Sequence, residues 1–230
     1  MIMKVLAIGA HPDDIEIFMF GLLSIFKERG DEVFCIVATD GAKGGDKNLN
    51  LPKLRKEESI QALKGISIPI FLNLPDGKLG YSIAHKEAIE KKIQTLNPDL
   101  LITHDVKDYH SDHRNLSIIV NNIISHYVPI LYCDTMMGLN FNPNYYVDIT
   151  KFFKNKIDSL LKHKTQNPER FVNLIKLMNS YRSAQCNSPL GTYAEAYKFE
   201  QSFPFATITN LLPPPPDVRT FHINSRNGFL

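Results

Sequence analysis

Short, almost uninterrupted apolar runs alternate along this chain with longer stretches whose apolar positions recur at helical spacing. Val5 to Ala10 (VLAIGA) and Val33 to Ala38 (VFCIVA) have the pattern of strands buried on both faces of a parallel sheet. Pro69 to Leu72, Leu100 to Thr103 and Pro129 to Tyr132 read as further short strands, and Tyr145 to Asp148 as one more. From Ile15 to Arg29 the stripe Ile15, Phe18, Met19, Leu22, Leu23, Phe26 predicts one helix, stopped by Gly30. Helices are also predicted over 53–64, 82–95 and 113–126, and then over Thr150 to His163 and Pro168 to Arg182. This alternation predicts an α/β, Rossmann-like fold: a mostly parallel sheet with helices on both faces. Right-handed crossovers line up the loops that follow the strands along the C-terminal edge, where such sheets bind ligands.

A chain of 230 residues is long enough for one well-covered α/β domain and short for two, so 1–230 is read as a single domain. Within it, 201–230 is an extension with no periodic pattern, in which Pro213 to Pro216 must be extended; a packed strut is favoured over a mobile tail. A formal charge of +2 with no block of like charges gives no footprint for nucleic acid or an anionic membrane. The first apolar run stops at His11-Pro12-Asp13-Asp14 with no cleavage site, and no segment is long enough to span a bilayer. Cys35, Cys133 and Cys186 are scattered and form no Cys-x-x-Cys, as in a reducing compartment. The expectation is a cytoplasmic, small-molecule enzyme with no membrane span and no nucleic-acid partner, for which homo-oligomerisation stays open.

Two polar clusters fall where strands should end: His11-Pro12-Asp13-Asp14-Ile15-Glu16 after the first, and Asp108-Tyr109-His110-Ser111-Asp112-His113 after the fourth. A catalytic zinc needs about three imidazole or carboxylate ligands and an open position. Pro12 keeps His11 extended at the strand end while Asp14 enters the following helix, so His11, Asp14 and His113 are the expected metal ligands. Asp13 is then the candidate general base. His110 is the candidate acid or oxyanion stabiliser, oriented by Asp112 or Asp108, whose charge would keep its imidazole protonated. Taken singly these residues have plainer readings: Asp13-x-x-Glu16 fits a helix cap, and a His-x-x-His pair is usually solvated. Two His-Asp clusters on one sheet edge weigh against coincidence.

These residues resemble the PIG-L / LmbE-like family of zinc-dependent deacetylases. That family's first motif, Ala-His-Pro-Asp-Asp-x-Glu, stands here as Ala10 to Glu16, and its later His-x-Asp-His as His110 to His113, with the likeness running over about Met3 to Tyr197. The resemblance implies a hydrolase that removes the N-acetyl group from an N-acetylated amino sugar of the N-acetylglucosamine type, with Zn2+ as cofactor. It implies the ligands and base named above, with Asp112 tuning His110. It also implies substrate contacts at Arg55 and Asp108, and an oxyanion aid at Tyr193 in the segment Tyr193-Ala194-Glu195-Ala196-Tyr197. Without the resemblance Arg55 would be an exposed helix charge. A small soluble acceptor is expected, in preference to a membrane-held inositol lipid.

Two alternatives have distinct requirements. A metal-dependent phosphoesterase with two metals needs bridging carboxylates, and no second ligand set is evident. A nucleotide-binding module would use Gly41 to Gly45 for phosphate, yet that loop matches neither G-x-x-x-x-G-K-[ST] nor G-x-G-x-x-G.

Overall fold

A computed structural model describes residues 2–45 and 50–217. The expected apolar runs form β1 (Lys4–Gly9), β2 (Glu32–Thr39), β3 (Ile70–Leu74), β4 (Leu100–Thr103), β5 (Ile130–Cys133) and β6 (Tyr145–Asp148), joined by β7 (Ala194–Phe199). They make one sheet in the order β3-β2-β1-β4-β5-β7-β6. β1 pairs in parallel with both β2 and β4, and only β7, antiparallel to β5 and β6, runs against the rest. Successive strand residues point to opposite faces. Val5, Ala7, Cys35, Val37 and Ile102 therefore join one core, and Leu6, Ile8, Ile36, Ala38 and Leu101 the other.

The helices are α1 (Asp14–Phe18), α2 (Phe20–Arg29), α3 (Leu51–Ala62), α4 (Ile83–Leu96), α5 (Ser111–Ile124), α6 (Phe153–Leu160) and α7 (Pro168–Gln185). The single helix expected over 15–29 is broken at Met19. Its cause lies far along the chain. The Glu195 carboxylate accepts the N–H groups of Gly21 and Leu22 at 2.8 Å each, and it is held in place by the Tyr197 hydroxyl at 2.7 Å. A helix N-terminus welcomes such an anion. Lys156 Nζ at 2.7 Å balances the buried charge of Glu195.

Glu195 also explains why β7 does not stand out in the sequence: a carboxylate interrupts its apolar run, though Glu195, Tyr197 and Phe199 are all buried on one side. The helix expected over 150–163 is shorter, with 3-10 turns at Thr150–Phe152 and Lys164–Gln166 on either side of α6.

The chain past β7 packs back on the body. Ile208 and Leu212 enter the core, Arg29 Nη1 donates to the Leu211 carbonyl (3.1 Å), and Ser188 Oγ donates to the Asp217 carbonyl (3.0 Å). Pro216 is buried, which favours the strut over the tail as far as Asp217; 218–230 of the expected extension lie outside the described residues. Among the described residues no helix is long and apolar enough to cross a membrane.

Candidate active site

β1 and β4 are neighbours, with Ala7 beside Ile102. The chain leaves β1 toward β2 on one side, while β4 leads to β5 on the other, so the loops after β1 and β4 flank the switch point of the sheet. Gly9 closes β1, and a Cβ there would sit 3.0 Å from Asp14 Cβ and 3.1 Å from Ile15 Cγ1, so a bare backbone lets α1 fold tightly over the strand end. Asp14 Oδ2 accepts the His11 N–H at 2.7 Å. His113 arrives in the first turn of α5.

The structure brings His11, Asp14 and His113 together. His11 Nδ1 lies 3.2 Å from His113 Nε2 and 3.4 Å from Asp14 Oδ2, and His113 Nε2 lies 3.3 Å from Asp14 Oδ1. Three donors around a tetrahedral ion with bonds of about 2.0–2.1 Å would stand about 3.3 Å apart. The two nitrogens have that spacing and each faces a different oxygen of Asp14, so the donor types and their convergence fit a metal ion. Each imidazole gives its outer nitrogen to a carboxylate: His11 Nε2 to Asp112 Oδ2 and Asp76 Oδ1, both at 3.3 Å, and His113 Nδ1 to Asp108 Oδ2 at 3.0 Å. Such partners fix the ring orientation and raise ligand basicity. Burial alone would lower the pKa of His113, but Asp14 and Asp108 carry it up to about 9. His11 is raised for the same reason, burial being outweighed by Asp112, Asp14 and Asp76. Positive charge is strongly favoured between these side chains.

Asp13 sits beside this cluster with a strained backbone, φ 141° and ψ −22°. Arg55 holds it there: Nη2 donates to the Pro12 carbonyl (2.8 Å) and to Asp13 Oδ2 (3.1 Å), while Nη1 donates to the Gly41 carbonyl (3.0 Å). Burial pushes the Asp13 carboxyl up to about 6 against the pull of the Arg55 guanidinium. Arg55 is 3% exposed and lines the cleft beside Asp13, not on an exposed helix face. Its two Nη groups brace the turn that carries Asp13, while Nε has no partner among the described residues. Removing one partner of a buried ion pair costs about 3–5 kcal/mol. Arg55→Met is therefore expected to lower unfolding free energy by about that amount in denaturant titration; a loss under about 1 kcal/mol would mean the pair does not hold the turn.

His110 is the N-cap of α5, its Nδ1 accepting the Asp112 N–H at 3.3 Å. The expectation that Asp112 or Asp108 would orient its ring and keep it charged is corrected. The Asp112 carboxylate is taken by the N–H groups of Gly77 (2.6 Å) and Leu79 (3.2 Å) and by His11. Asp108 reaches only the backbone N–H of His110 (2.8 Å) and uses its other oxygen on His113. Burial, then the charges of His113 and His11, lower the pKa of His110. The lowered pKa favours the neutral imidazole, in which the cap places the proton on Nε2. Asp108, 1% exposed, is placed behind His113 and does not face a substrate. Tyr193 stacks on Phe153 with ring centroids 3.5 Å apart and is not among the residues lining the cleft, which corrects its expected oxyanion role.

The cleft, of about 260 Å³, is lined by Asp13, Asp14, His11, His113 and His110, by an apolar wall of Ile17, Phe18, Met136 and Phe171, and by Lys43, Asp76, Tyr109 and Gln166. Sequence reasoning missed His104, although it follows β4 directly. It is fully buried, stacked on His113 at 3.7 Å, with Nε2 facing Asp14 Oδ2 and the Ala10 N–H at 3.1 Å each. Burial and the charge of His113 push its pKa down to about 4. Because Ala10 already occupies its lone pair, it is a weaker candidate ligand than His11. Asp76 was also missed, hidden in a Pro-Asp-Gly turn after β3. His163, from beyond α6, pairs with the motif's Glu16 at 2.9 Å with no local signal in the sequence.

A metal-fitting cluster of two imidazoles and a carboxylate, with a raised carboxyl beside it at the C-terminal edge of a Rossmann-like sheet, defines a metal-dependent hydrolase class. Comparison with known proteins narrows this. The family profile described as "GlcNAc-PI de-N-acetylase", PIG-L, matches residues 6–124. The "Uncharacterized deacetylase YaiS" of Escherichia coli K12 is 30% identical over 174 residues, covering 70% of this chain and 90% of its own. The diacetylchitobiose deacetylase of Thermococcus kodakarensis is 26% identical over 189 residues, covering 72% of this chain and 71% of its own. The chain belongs to the PIG-L family. Among solved structures, the 4-carboxy-2-hydroxymuconate hydratase GalB of Pseudomonas putida KT2440 superposes with a TM-score of 0.77 at 17% identity, covering 90% of this chain and 99% of its own. A hydratase on this architecture means that the reaction must be argued from the site, not from the fold.

Proposed function

We propose that this chain is a zinc-dependent N-deacetylase that hydrolyses the acetamide of an N-acetylated amino sugar, releasing acetate and a free amine. One observation carries the reading: His11, Asp14 and His113 converge at 3.2–3.4 Å in the same cleft as Asp13. These three residues would hold the ion. When bound, zinc supplies Lewis acidity, polarising a carbonyl and making water far more acidic, with a pKa of about 7. Imidazole and carboxylate donors with room for a further ligand favour zinc.

Asp13 takes the proton from the water that adds to the acetamide carbon. A carboxyl near 6 is matched to work near neutral pH, and the same group can hand that proton to the amine nitrogen as the C–N bond breaks. His110, neutral and with its proton on Nε2, stabilises the developing oxyanion as a hydrogen-bond donor. This assignment replaces the charged acid expected from the sequence. A lining that combines Ile17, Phe18, Met136 and Phe171 with several polar groups suits a sugar ring, with its apolar face and hydroxyl edge.

The test is acetate release from a panel of N-acetylglucosamine derivatives by the zinc-loaded protein. Release supports the reading and ranks the acceptors; turnover of a generic phosphoester with no acetate would transfer the site to a phosphoesterase. The nucleotide alternative gains no support, since Gly41 and Gly44 aim carbonyls at Arg55 and Gln166 where phosphate would require N–H groups.

A further inference from the structure

The 3-10 turn Lys164–Gln166 ties several parts of the site together. Glu58 of α3, one turn after Arg55, accepts the Thr165 N–H at 2.8 Å and the Thr165 hydroxyl at 2.7 Å. With its proton committed to Glu58, the Thr165 oxygen can only accept, and it accepts from Gln166 Nε2 at 3.1 Å. The second hydrogen of that amide nitrogen goes to the Gly44 carbonyl at 2.5 Å. Both neighbours are acceptors, so the orientation of the amide is settled by chemistry: nitrogen toward the protein, Oε1 left as an acceptor.

Gln166 is half-buried and lines the cleft, and among the described residues no donor is recorded for its Oε1. Its position relative to the reacting groups can be traced through Gly44. A Cβ at Gly44 would collide with Arg55 Nη1 and crowd Gln166 Oε1 at 3.1 Å. Arg55 Nη2, on the other arm of the guanidinium, reaches Asp13. Gln166 Oε1 thus lies close to Gly44 on the Nη1 arm of Arg55, while the Nη2 arm holds Asp13, so it borders the same cleft as the reacting groups. A fixed acceptor that lines the cleft and has no donor of its own among the described residues suits recognition of a donor on the substrate.

We propose that Gln166 is a specificity-determining residue whose Oε1 accepts a hydrogen bond from one ring hydroxyl of the acceptor sugar. The inference rests on the amino-sugar reading above and goes one step further, to a named group and the kind of atom it reads. A site that spends an acceptor on a substrate hydroxyl discriminates against the analogue lacking it, because the acceptor is then left unpaired.

The experiment measures kcat and KM for acetate release from N-acetylglucosamine and its 3-, 4- and 6-deoxy analogues, using zinc-loaded wild type, Gln166→Met and Gln166→Glu. In the wild type one deoxy analogue is expected to lose about tenfold in kcat/KM, mainly through KM, as for one hydrogen bond. Gln166→Met should lose a similar factor on the parent sugar and no longer distinguish it from that analogue. Gln166→Glu keeps an acceptor oxygen but cannot donate to the Gly44 carbonyl. If Gln166 merely fixed the loop, the Glu variant would be as poor as the Met variant; retained discrimination in the Glu variant supports hydroxyl recognition. Unchanged discrimination in Gln166→Met, or no deoxy sensitivity in the wild type, overturns the assignment. Absence of acetate from every sugar with the wild type would instead overturn the amino-sugar reading itself.

Discussion

Asp13→Asn is expected to retain zinc and to release acetate at least about two orders of magnitude more slowly, the range for loss of a general base. The substitution is close to isosteric, and its amide oxygen can still accept from Arg55 Nη2, which holds the Asp13 carboxylate at 3.1 Å. The turn should therefore survive, and with it the placement of His11 and Asp14 on either side. What disappears is the ability to take a proton from water and return it to the leaving amine. Because His110 is a neutral donor with no carboxylate on its ring, no neighbour is ready to assume that task. The check pairs acetate release with metal stoichiometry and a thermal melt of the same sample. Undiminished turnover would remove Asp13 from the mechanism, whereas a collapse of the fold would overturn the expectation that the Arg55-held turn survives the substitution.

The parts of this fold that were legible in the sequence are those in which one local pattern decides the outcome. β1 and β2 are apolar on both faces because helices cover both, and their runs read as buried strands without further information. The residues at their ends were legible too, because a parallel sheet gathers its loops on one edge. What escaped detection depends on contacts across the chain. The helix over 15–29 keeps an unbroken apolar stripe, yet Glu195, some 170 positions later, takes over the N–H groups of Gly21 and Leu22 and splits it. Glu195 in turn disguises β7 as a polar segment. Its charge is tolerable only because Lys156, two N–H groups and a tyrosine hydroxyl meet it.

The errors at the site have the same origin. Asp108 and Asp112 flank His110 in sequence and so were assigned to it, but a helix start turns neighbours in different directions. Asp112 reaches His11, 101 positions away, and Asp108 reaches His113. Arg55 looked like a surface charge because nothing local reveals that the strained Asp13 turn needs a buried cation. The motif points to the candidate donors, which the fold brings together, but it could not say which residues supply the outer hydrogen bonds.

Those outer bonds make the second large effect quantitative. His11→Ala is expected to abolish zinc binding at micromolar metal and with it all acetate release. Asp14 and His113 would remain 3.3 Å apart, but a catalytic zinc needs about three protein ligands, and the nearby His104 Nε2 is already taken by the Ala10 N–H. The variant also uncovers Asp76 Oδ1 and Asp112 Oδ2, each 3.3 Å from the lost imidazole nitrogen. Asp112 keeps its bonds to Gly77 and Leu79, so the loop after β3 should stay in place and the fold should survive. Asp112→Asn separates ligation from ring orientation: His11 is retained, but its carboxylate partner is weakened. Changes in such partners typically cost about 10–100-fold in metal affinity, short of complete loss. Competition with a chelator of known affinity reads both variants on one scale. Stoichiometric zinc in His11→Ala would rule out His11 as a ligand, and equal affinities for Asp112→Asn and wild type would mean that the His11 ring needs no carboxylate to present Nδ1 to the ion.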